Sequence, residues 1–155
     1  ARGDWYMRDD RVQAQGPFRQ AKGSRLRHDK LIDFIQRNYE ADALGQWYFQ
    51  NGPQRVYVEL ESAPWIWRFT PDSQVRSHCG QPAQVRTCLT DEAGHVYLET
   101  NLGLGRVHTQ DMLSLSDALE ARRWPLIEVQ SLTLPTRYGY VLSPQARQAG
   151  EKKAG

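Results

Sequence analysis

Apolar and polar residues alternate strictly on both sides of Asn51-Gly52, and this pattern predicts a β-hairpin within residues 45–61. Pro53 lacks the backbone N–H that a tight turn centred on Asn51-Gly52 would need. We therefore predict a four-residue loop over 51–54.

The predicted loop pairs Tyr48 with Tyr57 and Phe49 with Val56. One face of the hairpin is then apolar and carries Trp47, Phe49, Val56, Val58 and Leu60. The other face carries Gln46, Tyr48, Gln50, Arg55, Tyr57, Glu59 and Glu61. A slip of one residue would place polar side chains beside the apolar ones, so the division of faces indicates the register.

The segment 65–70 alternates in the same way and predicts a third strand that follows a turn at Ser62-Ala63-Pro64. We expect it to pair with the hairpin, with Leu60 opposite Trp65, Val58 opposite Trp67 and Val56 opposite Phe69. On the polar face this register places Arg68 across from Tyr57, where a cation–π contact is expected.

A second hairpin is predicted from 84–90 and 95–100, on either side of Asp-Glu-Ala-Gly94. We pair Thr90 with His95. This register places Leu89, Val96, Thr87, Leu98 and Val85 on one face, and it sets Arg86 opposite Glu99 and Cys88 opposite Tyr97 on the other.

Helical spacing of Leu31, Ile32, Ile35 and Tyr39 predicts one longer helix at about 25–39. A short helix at about 116–123 is predicted from its capping pattern and from the proline that follows it. Leu102-Gly-Leu-Gly105 is interpreted as a turn. The predicted fold class is α+β, with a mainly antiparallel twisted sheet of about six to eight strands.

The chain of 155 residues, 39% hydrophobic with five tryptophans, suits a single domain over 1–148 and a flexible tail over 149–155. It contains no apolar run long enough for a membrane span, and its first residues are too polar for a secretory signal. Together with the presence of only two cysteines, this predicts a cytoplasmic location.

The net charge of +2 does not by itself indicate a polyanion partner, but the basic residues are concentrated near the start of the chain. Arg19, Lys22, Arg25 and Arg27 could hold an anion, because a Gly-Ser turn was expected to lead into a helix N-terminus there. The alternative is a solvated loop. Tyr48, Tyr57 and Arg68 could similarly stack against a ring, unless another element covers them.

Two cysteines and two histidines, His78, Cys79, Cys88 and His95, make a zinc site or a thiol nucleophile conceivable. Their spacing matches no standard metal motif, so free or disulfide-bonded thiols are the alternatives. No catalytic residues and no cofactor are assigned, because no oxyanion motif accompanies the cysteines and Gly103-Leu-Gly105 lacks the rest of a dinucleotide fingerprint.

The run Trp47-Tyr-Phe-Gln-Asn-Gly-Pro-Gln-Arg-Val-Tyr-Val-Glu-Leu-Glu61, with Trp65 to Phe69, resembles uncharacterised proteobacterial proteins classified as domains of unknown function. The resemblance implies a bacterial protein and carries over no catalytic or binding residue.

Our leading functional hypothesis is a small, non-enzymatic binding or interaction domain with a protein partner or a second copy of itself. One alternative is a nucleic-acid or phosphate binder that uses the basic segment 19–30. The other alternative is a metal- or thiol-dependent enzyme centred on Cys79 and Cys88.

Overall fold

The computed structural model describes residues 2–148, which form two compact units. The small-sheet unit comprises residues 4–62 and 140–148, and the large-sheet unit comprises residues 2–3 and 63–139. The expectation of a single domain over 1–148 stays a prediction, and the tail predicted at 149–155 lies outside the described residues.

The small-sheet unit contains two short sheets, two helices before residue 62 and a helical segment over 144–148. In chain order its elements are β1 (Tyr6–Met7), α1 (Asp10–Ala14), β2 (Ser24–Arg25), α2 (Asp29–Arg37), β3 (Tyr39–Ala41), β4 (Trp47–Asn51) and β5 (Gln54–Tyr57). β1 pairs with β2, and β3, β4 and β5 form an antiparallel sheet in that order. The helix predicted over 25–39 is confirmed in place but is shorter, because β2 precedes it and β3 follows it directly.

The register of the β4–β5 hairpin is confirmed. Tyr48 lies opposite Tyr57, and Phe49 lies opposite Val56. The loop is shorter than predicted, because Asn51 and Gln54 also pair and leave only Gly52-Pro53 between the strands. Gly52 has φ +58°, which suits the first central position of a type II′ turn. Pro53 then occupies the second central position, where its missing N–H is not needed.

Aromatic packing supports the apolar face of this sheet. The rings of Tyr39 and Trp47 lie 4.7 Å apart, and Trp5 meets Tyr39 edge-on at 5.3 Å. Ile35 from α2 is also buried. Val56 is 36% exposed, so this core does not extend along the whole of β5.

The large-sheet unit is built on a seven-stranded sheet. Its elements are β6 (Trp65–Phe69), β7 (Val75–Ser77), β8 (Pro82–Ala83), β9 (Val85–Thr90), β10 (Val96–Thr100), β11 (Gly103–Val107), a 3₁₀ turn (Thr109–Asp111), α3 (Met112–Glu120), β12 (Leu126–Glu128), a second 3₁₀ turn (Ser131–Thr133) and α4 (Leu134–Tyr138). The strand order is β12-β9-β10-β11-β6-β7-β8. Only the β12–β9 and β11–β6 pairings in this sheet are parallel. The α+β class with a mainly antiparallel sheet is therefore confirmed, and the helix predicted at 116–123 begins and ends earlier.

The predicted third strand of the first hairpin was wrong in its pairing. β6 forms where expected but lies between β11 and β7, so Leu60, Val58 and Val56 do not pair with it. The N–H of Leu60 instead donates to the carbonyl of Leu142 at 2.8 Å. Trp67 on β6 is fully buried, and its indole N–H donates to the carbonyl of Leu98.

The predicted register of the β9–β10 hairpin was wrong by one residue. Thr90 lies opposite Val96 rather than His95, and Cys88 lies opposite Leu98 rather than Tyr97. A bulge near Glu99 and Thr100 shifts the pairing further. The central residues of both strands are buried on both faces of the sheet, so alternation carries little information about register here.

Leu102-Gly-Leu-Gly105 is not a turn along its whole length, because β11 already begins at Gly103. A Cβ atom on Gly105 would lie 2.6 Å from the carbonyl oxygen of Trp65 and 2.6 Å from Nε1 of Trp67. Glycine is therefore required at position 105 by the close approach of β6 and not by turn geometry.

Four hairpin loops share one five-residue form, which the sequence analysis did not detect as a repeat. They are Asp42–Gln46, Thr70–Gln74, Ser77–Gln81 and Asp91–His95. In each loop the backbone N–H of the first residue donates to the backbone carbonyl of the fifth residue at 2.8–3.1 Å. A side-chain oxygen of the first residue also accepts a backbone N–H from within the loop. The fourth residues, Gly45, Ser73, Gly80 and Gly94, all have positive φ. This is the geometry of a turn closed by a residue in the left-handed region.

Candidate functional site

The predicted basic segment 19–27 does not lead into a helix N-terminus. Ser24 and Arg25 form β2, and α2 begins only at Asp29 after a cap by the His28 ring. Gly23 is held close to β1, since a Cβ there would lie 2.2 Å from the carbonyl oxygen of Met7. The predicted Gly-Ser anion cradle is therefore wrong.

Two of the four predicted basic ligands are engaged in ion pairs. Lys22 lies 3.4 Å from Glu61, and Arg25 lies 3.9 Å from Asp4. Arg19 and Arg27 are exposed and form no ion pair with any of residues 2–148. Lys22 also lies within 6 Å of the centroids of two aromatic rings, those of Tyr6 and Phe18. These contacts attach the 16–22 loop to β1.

Tyr48 and Tyr57 are neighbours, as predicted, with ring centroids 5.5 Å apart. The cation over Tyr48 is Arg55, at 4.6 Å from the ring centroid. Arg68 belongs to the other sheet, so the strand pairing that was to place it across from Tyr57 is wrong. The hydroxyl of Tyr48 donates to Glu40, and that of Tyr57 donates to Asp42 at 3.1 Å. These side chains form an internally satisfied polar network.

The four residues of the conceivable zinc site do not converge. Within residues 2–148, no group of three or more His, Cys, Asp or Glu side chains is placed to hold a metal ion. Cys79 and Cys88 are free thiols, and burial raises the pKa of Cys79 to about 12 and that of Cys88 to about 11. Both are therefore protonated at neutral pH and are poor nucleophiles.

The two histidines of this set have structural partners. Nδ1 of His78 accepts the backbone N–H of Ile66 at 3.1 Å, and burial lowers the pKa of His78 to about 4. His95 lies 3.2 Å from Asp91, inside the hairpin loop that Asp91 organises. These contacts give both histidines structural roles.

An apolar groove lies between α3 and β10. It is lined by Val96, Met112, Leu115, Ser116, Leu119 and Glu120 and has a volume of about 370 Å³. Met112 is 42% exposed, and the adjoining Leu113 is 75% exposed. Exposed apolar side chains beside an apolar groove are compatible with an interaction site.

The groove forms because α3 is only partly embedded. Leu115 and Ala118 are buried and attach the helix to the large-sheet unit. Met112 and Glu120 are exposed, and Leu119 is half-buried along the side that borders Val96. The helix thus presents apolar side chains to both the core and the groove.

Glu120 is the one charged residue among the described lining residues of this groove. Asp111 and Asp117 lie on the same segment, and Arg122 and Arg123 follow Glu120 after one residue. Asp111 is paired with Arg68 at 2.6 Å, whereas Asp117 and Glu120 form no ion pair within the part of the chain that the structure describes. The groove therefore favours an apolar ligand that also carries positive charge.

Sequence reasoning missed this groove because its walls come from segments far apart in the chain, Val96 and residues 112–120. The available signal was the pair Met112-Leu113, two apolar residues at the start of an amphipathic helix. Helical spacing alone does not show which apolar residues remain uncovered.

The chain belongs to the family DUF2944, described as "Protein of unknown function (DUF2946)", whose model matches residues 1–145. No curated protein and no solved structure matches the chain. The resemblance to a domain of unknown function is thus confirmed, while the proteobacterial origin stays a prediction. Among residues 2–148, no helix is both long and apolar enough to span a bilayer.

Proposed function

We propose that this DUF2944 member is a non-enzymatic interaction domain that binds a basic amphipathic helix of a partner protein in the groove between α3 and β10. The observation that carries the proposal is the exposed apolar surface of Met112 and Leu113 beside the groove lined by Val96, Leu115 and Leu119. Helices bind such grooves through apolar residues spaced three and four apart.

The acidic side chains around the groove favour a partner helix with positive charge. Glu120 lines the groove and Asp117 lies on the same helix, and neither carboxylate is engaged in an ion pair with any described residue. Glu128 on β12 adds to this charge, because it lies opposite Thr90, which in turn lies opposite Val96 on the same sheet face. A partner helix with lysines flanking its apolar face complements all three carboxylates.

The apolar character of the groove also supports a protein partner over a small polar metabolite. Ser116 and Glu120 are its only polar lining residues among those described, and both are exposed at the rim. Met112 has a flexible side chain that can adapt to different apolar residues. Such a surface provides affinity through burial, with orientation set by the acidic rim.

The test uses a fluorescent synthetic helix with leucines on one face and lysines on the other, titrated in anisotropy measurements at physiological ionic strength. The matched probe is a peptide of the same composition with its leucines distributed around the helix. We expect Met112→Lys to weaken binding by about tenfold or more, because it adds repulsion and removes apolar contact.

Leu132→Lys is the matched control, since Leu132 is 90% exposed and does not line the groove. This variant should bind within about twofold of the unmodified protein. Equal binding of the two peptides, or equal loss in the two variants, would contradict the proposal.

The cytoplasmic location is likewise a proposal. It is supported by the free thiols of Cys79 and Cys88, which suit a reducing compartment. Fractionation of cells that express the native gene tests it, and recovery from the periplasm would contradict it.

A further inference from the structure

We propose that Arg68, Arg76 and Arg106, which share one face of the large sheet, bind an oxyanion, such as a phosphate or carboxylate group of a small ligand. This site is separate from the groove proposed above. It rests on an unusual placement of arginines in the sheet and on one buried donor without a partner.

Two of these arginines are directly opposite each other. Arg68 on β6 and Arg76 on β7 are Cα partners in an antiparallel pair, so their side chains emerge on one face at neighbouring positions. Like charges in this arrangement repel and destabilise the strand pair. Nη1 of Arg76 donates to the carbonyl of Gly80 at 3.3 Å, so an anion would bind through the remaining N–H groups of Arg76 and those of Arg68, and it would offset this repulsion.

Arg106 extends the same face by one strand. It lies opposite Ile66 on β6, and Ile66 and Arg68 are two residues apart, so all three share one face of the sheet. The Nε of Arg106 is buried and has no hydrogen-bond partner among residues 2–148. A buried charged donor left without an acceptor is costly, and an anion oxygen would satisfy it.

Asp111 positions Arg68 without saturating it. Its carboxylate accepts Nε of Arg68 at 2.6 Å and the backbone N–H of Phe69 at 3.1 Å. Burial opposes ionisation of Asp111, but these two bonds outweigh it and lower its pKa. The two terminal nitrogens of Arg68 have no acceptor within the described chain, and its side chain is 44% exposed. They remain available as a two-pronged donor.

The other acidic groups near this face are already engaged. Asp72 accepts the hydroxyl of Thr70, which is the main reason that its pKa is lowered, and Arg76 contributes least. Glu99 accepts the hydroxyl of Tyr138 at 3.3 Å.

The chain start adds positive charge beside the same face. A Cβ on Gly3 would lie 3.5 Å from Ile66 and from His78, so the backbone of the adjoining Arg2 is also near. Burial keeps His78 neutral above a pKa of about 4. His78 therefore adds no charge to this face at neutral pH.

The experiment follows the Nε–Hε signals of arginines in ¹⁵N-labelled protein by NMR during titration with inorganic phosphate, succinate or sodium chloride at matched ionic strength. We expect phosphate to shift the signals of Arg68 and Arg106, with saturation. An equal response to succinate would establish a general oxyanion site, whereas a response to phosphate alone would restrict the ligand to phosphoryl groups. Shifts no larger than those with chloride would overturn the proposal.

Variants locate the site. Arg76→Gln should weaken phosphate binding by about tenfold, because a charge-assisted donor is lost. Arg86→Gln is the matched control, since Arg86 is exposed on β9 of the same sheet, four strands from β7. Equal weakening in both variants would mean only general charge attraction and would overturn the proposal. If Arg76→Gln fails to fold, Arg76→Lys provides the same comparison with the charge retained and the fork lost.

Discussion

The two main hairpins of this protein differ in what fixes their strand register. In β4–β5 one face is apolar and the other polar, and the alternation alone gives the observed pairs. In β9–β10 the central residues Cys88, Leu89 and Leu98 are completely buried, and alternation gives a register that is wrong by one residue.

The comparison shows that alternation is informative where it separates apolar from polar residues, even though Tyr48 on the polar face of β4 is itself buried. A strand covered on both sides accepts apolar residues at every position, so its sequence pattern tolerates a slip. The Asp91–His95 loop supplies the missing information in β9–β10. The N–H of Asp91 donates to the carbonyl of His95 at 3.1 Å, which closes the loop and makes Thr90 and Val96 the first pair beyond it.

Truncation of one apolar residue in each hairpin should show the largest difference. We expect Leu98→Ala to lower the free energy of unfolding by about 2–5 kcal/mol, because it leaves a cavity in a fully buried layer. Val56→Ala should cost about 1 kcal/mol or less, since Val56 is 36% exposed. Urea denaturation of both variants measures this difference, and equal losses would show that the two sheets are buried alike.

Asp91 and Asp42, the first residues of two equivalent loops, provide a second comparison between the two units. Asp91 accepts the hydroxyl of the buried Tyr97 at 2.8 Å and two loop N–H groups. We expect Asp91→Ala to cost about 2 kcal/mol, because a buried hydroxyl loses its acceptor.

Asp42 has the same role in the small-sheet unit, but its hydroxyl partner Tyr57 is only half-buried. Asp42→Ala should therefore cost about 1 kcal/mol. Burial opposes ionisation of both carboxyls, yet their loop hydrogen bonds lower both pKa values. The stabilisation is thus complete above the unfolded pKa of about 4 and is lost as the pH falls through the lower folded pKa. A larger loss in Asp42→Ala than in Asp91→Ala, measured at pH 7, would reverse the ranking.

Lowering the pH should also destabilise the large-sheet unit because of His78. Its folded pKa of about 4 is below the ordinary histidine pKa of 6.5, so between these pH values the unfolded chain binds a proton that the folded protein does not. Stability should then fall by up to about 1.4 kcal/mol per pH unit as the pH drops through this window.

His78→Asn is the matched control, because its side-chain oxygen can still accept the N–H of Ile66 but does not titrate. Denaturation of both proteins at pH 7, 6 and 5 should give a shallower pH dependence for the variant. Parallel curves would show that His78 does not contribute to the acid sensitivity.

The smallest effect is expected in the turns themselves. Gly52 and Gly94 have φ of +58° and +81°, and a Cβ at either position would contact nothing within 4 Å. Replacement by alanine should cost about 1 kcal/mol in each hairpin, purely from the backbone conformation. A much larger loss at one position, measured by thermal denaturation, would reveal a register that depends on the turn.

Local patterns predicted the elements that depend on neighbours in the sequence. The β4–β5 register followed from the separation of apolar and polar residues, and the position of α2 followed from helical spacing. The place of β6 did not, since its parallel partner β11 lies about 40 residues further along the chain and no local signal specifies that pairing.

The candidate sites likewise combine features that the local sequence predicts with features that depend on distant segments. Arg68 was recognised as a candidate ligand from its place in an alternating strand, but its partner Asp111 is 43 residues away in sequence. The groove depends on which side of α3 remains uncovered, and that is decided by packing between distant segments.

The most direct test of the interaction surface is a methyl NMR titration of the unmodified protein with the leucine–lysine helix. The account predicts that the methyl signals of Val96, Met112, Leu115 and Leu119 shift together and saturate, while that of Leu132 stays unchanged. Shifts confined to Leu132 or to the small-sheet unit, or no shift with the groove methyls assigned, would contradict it.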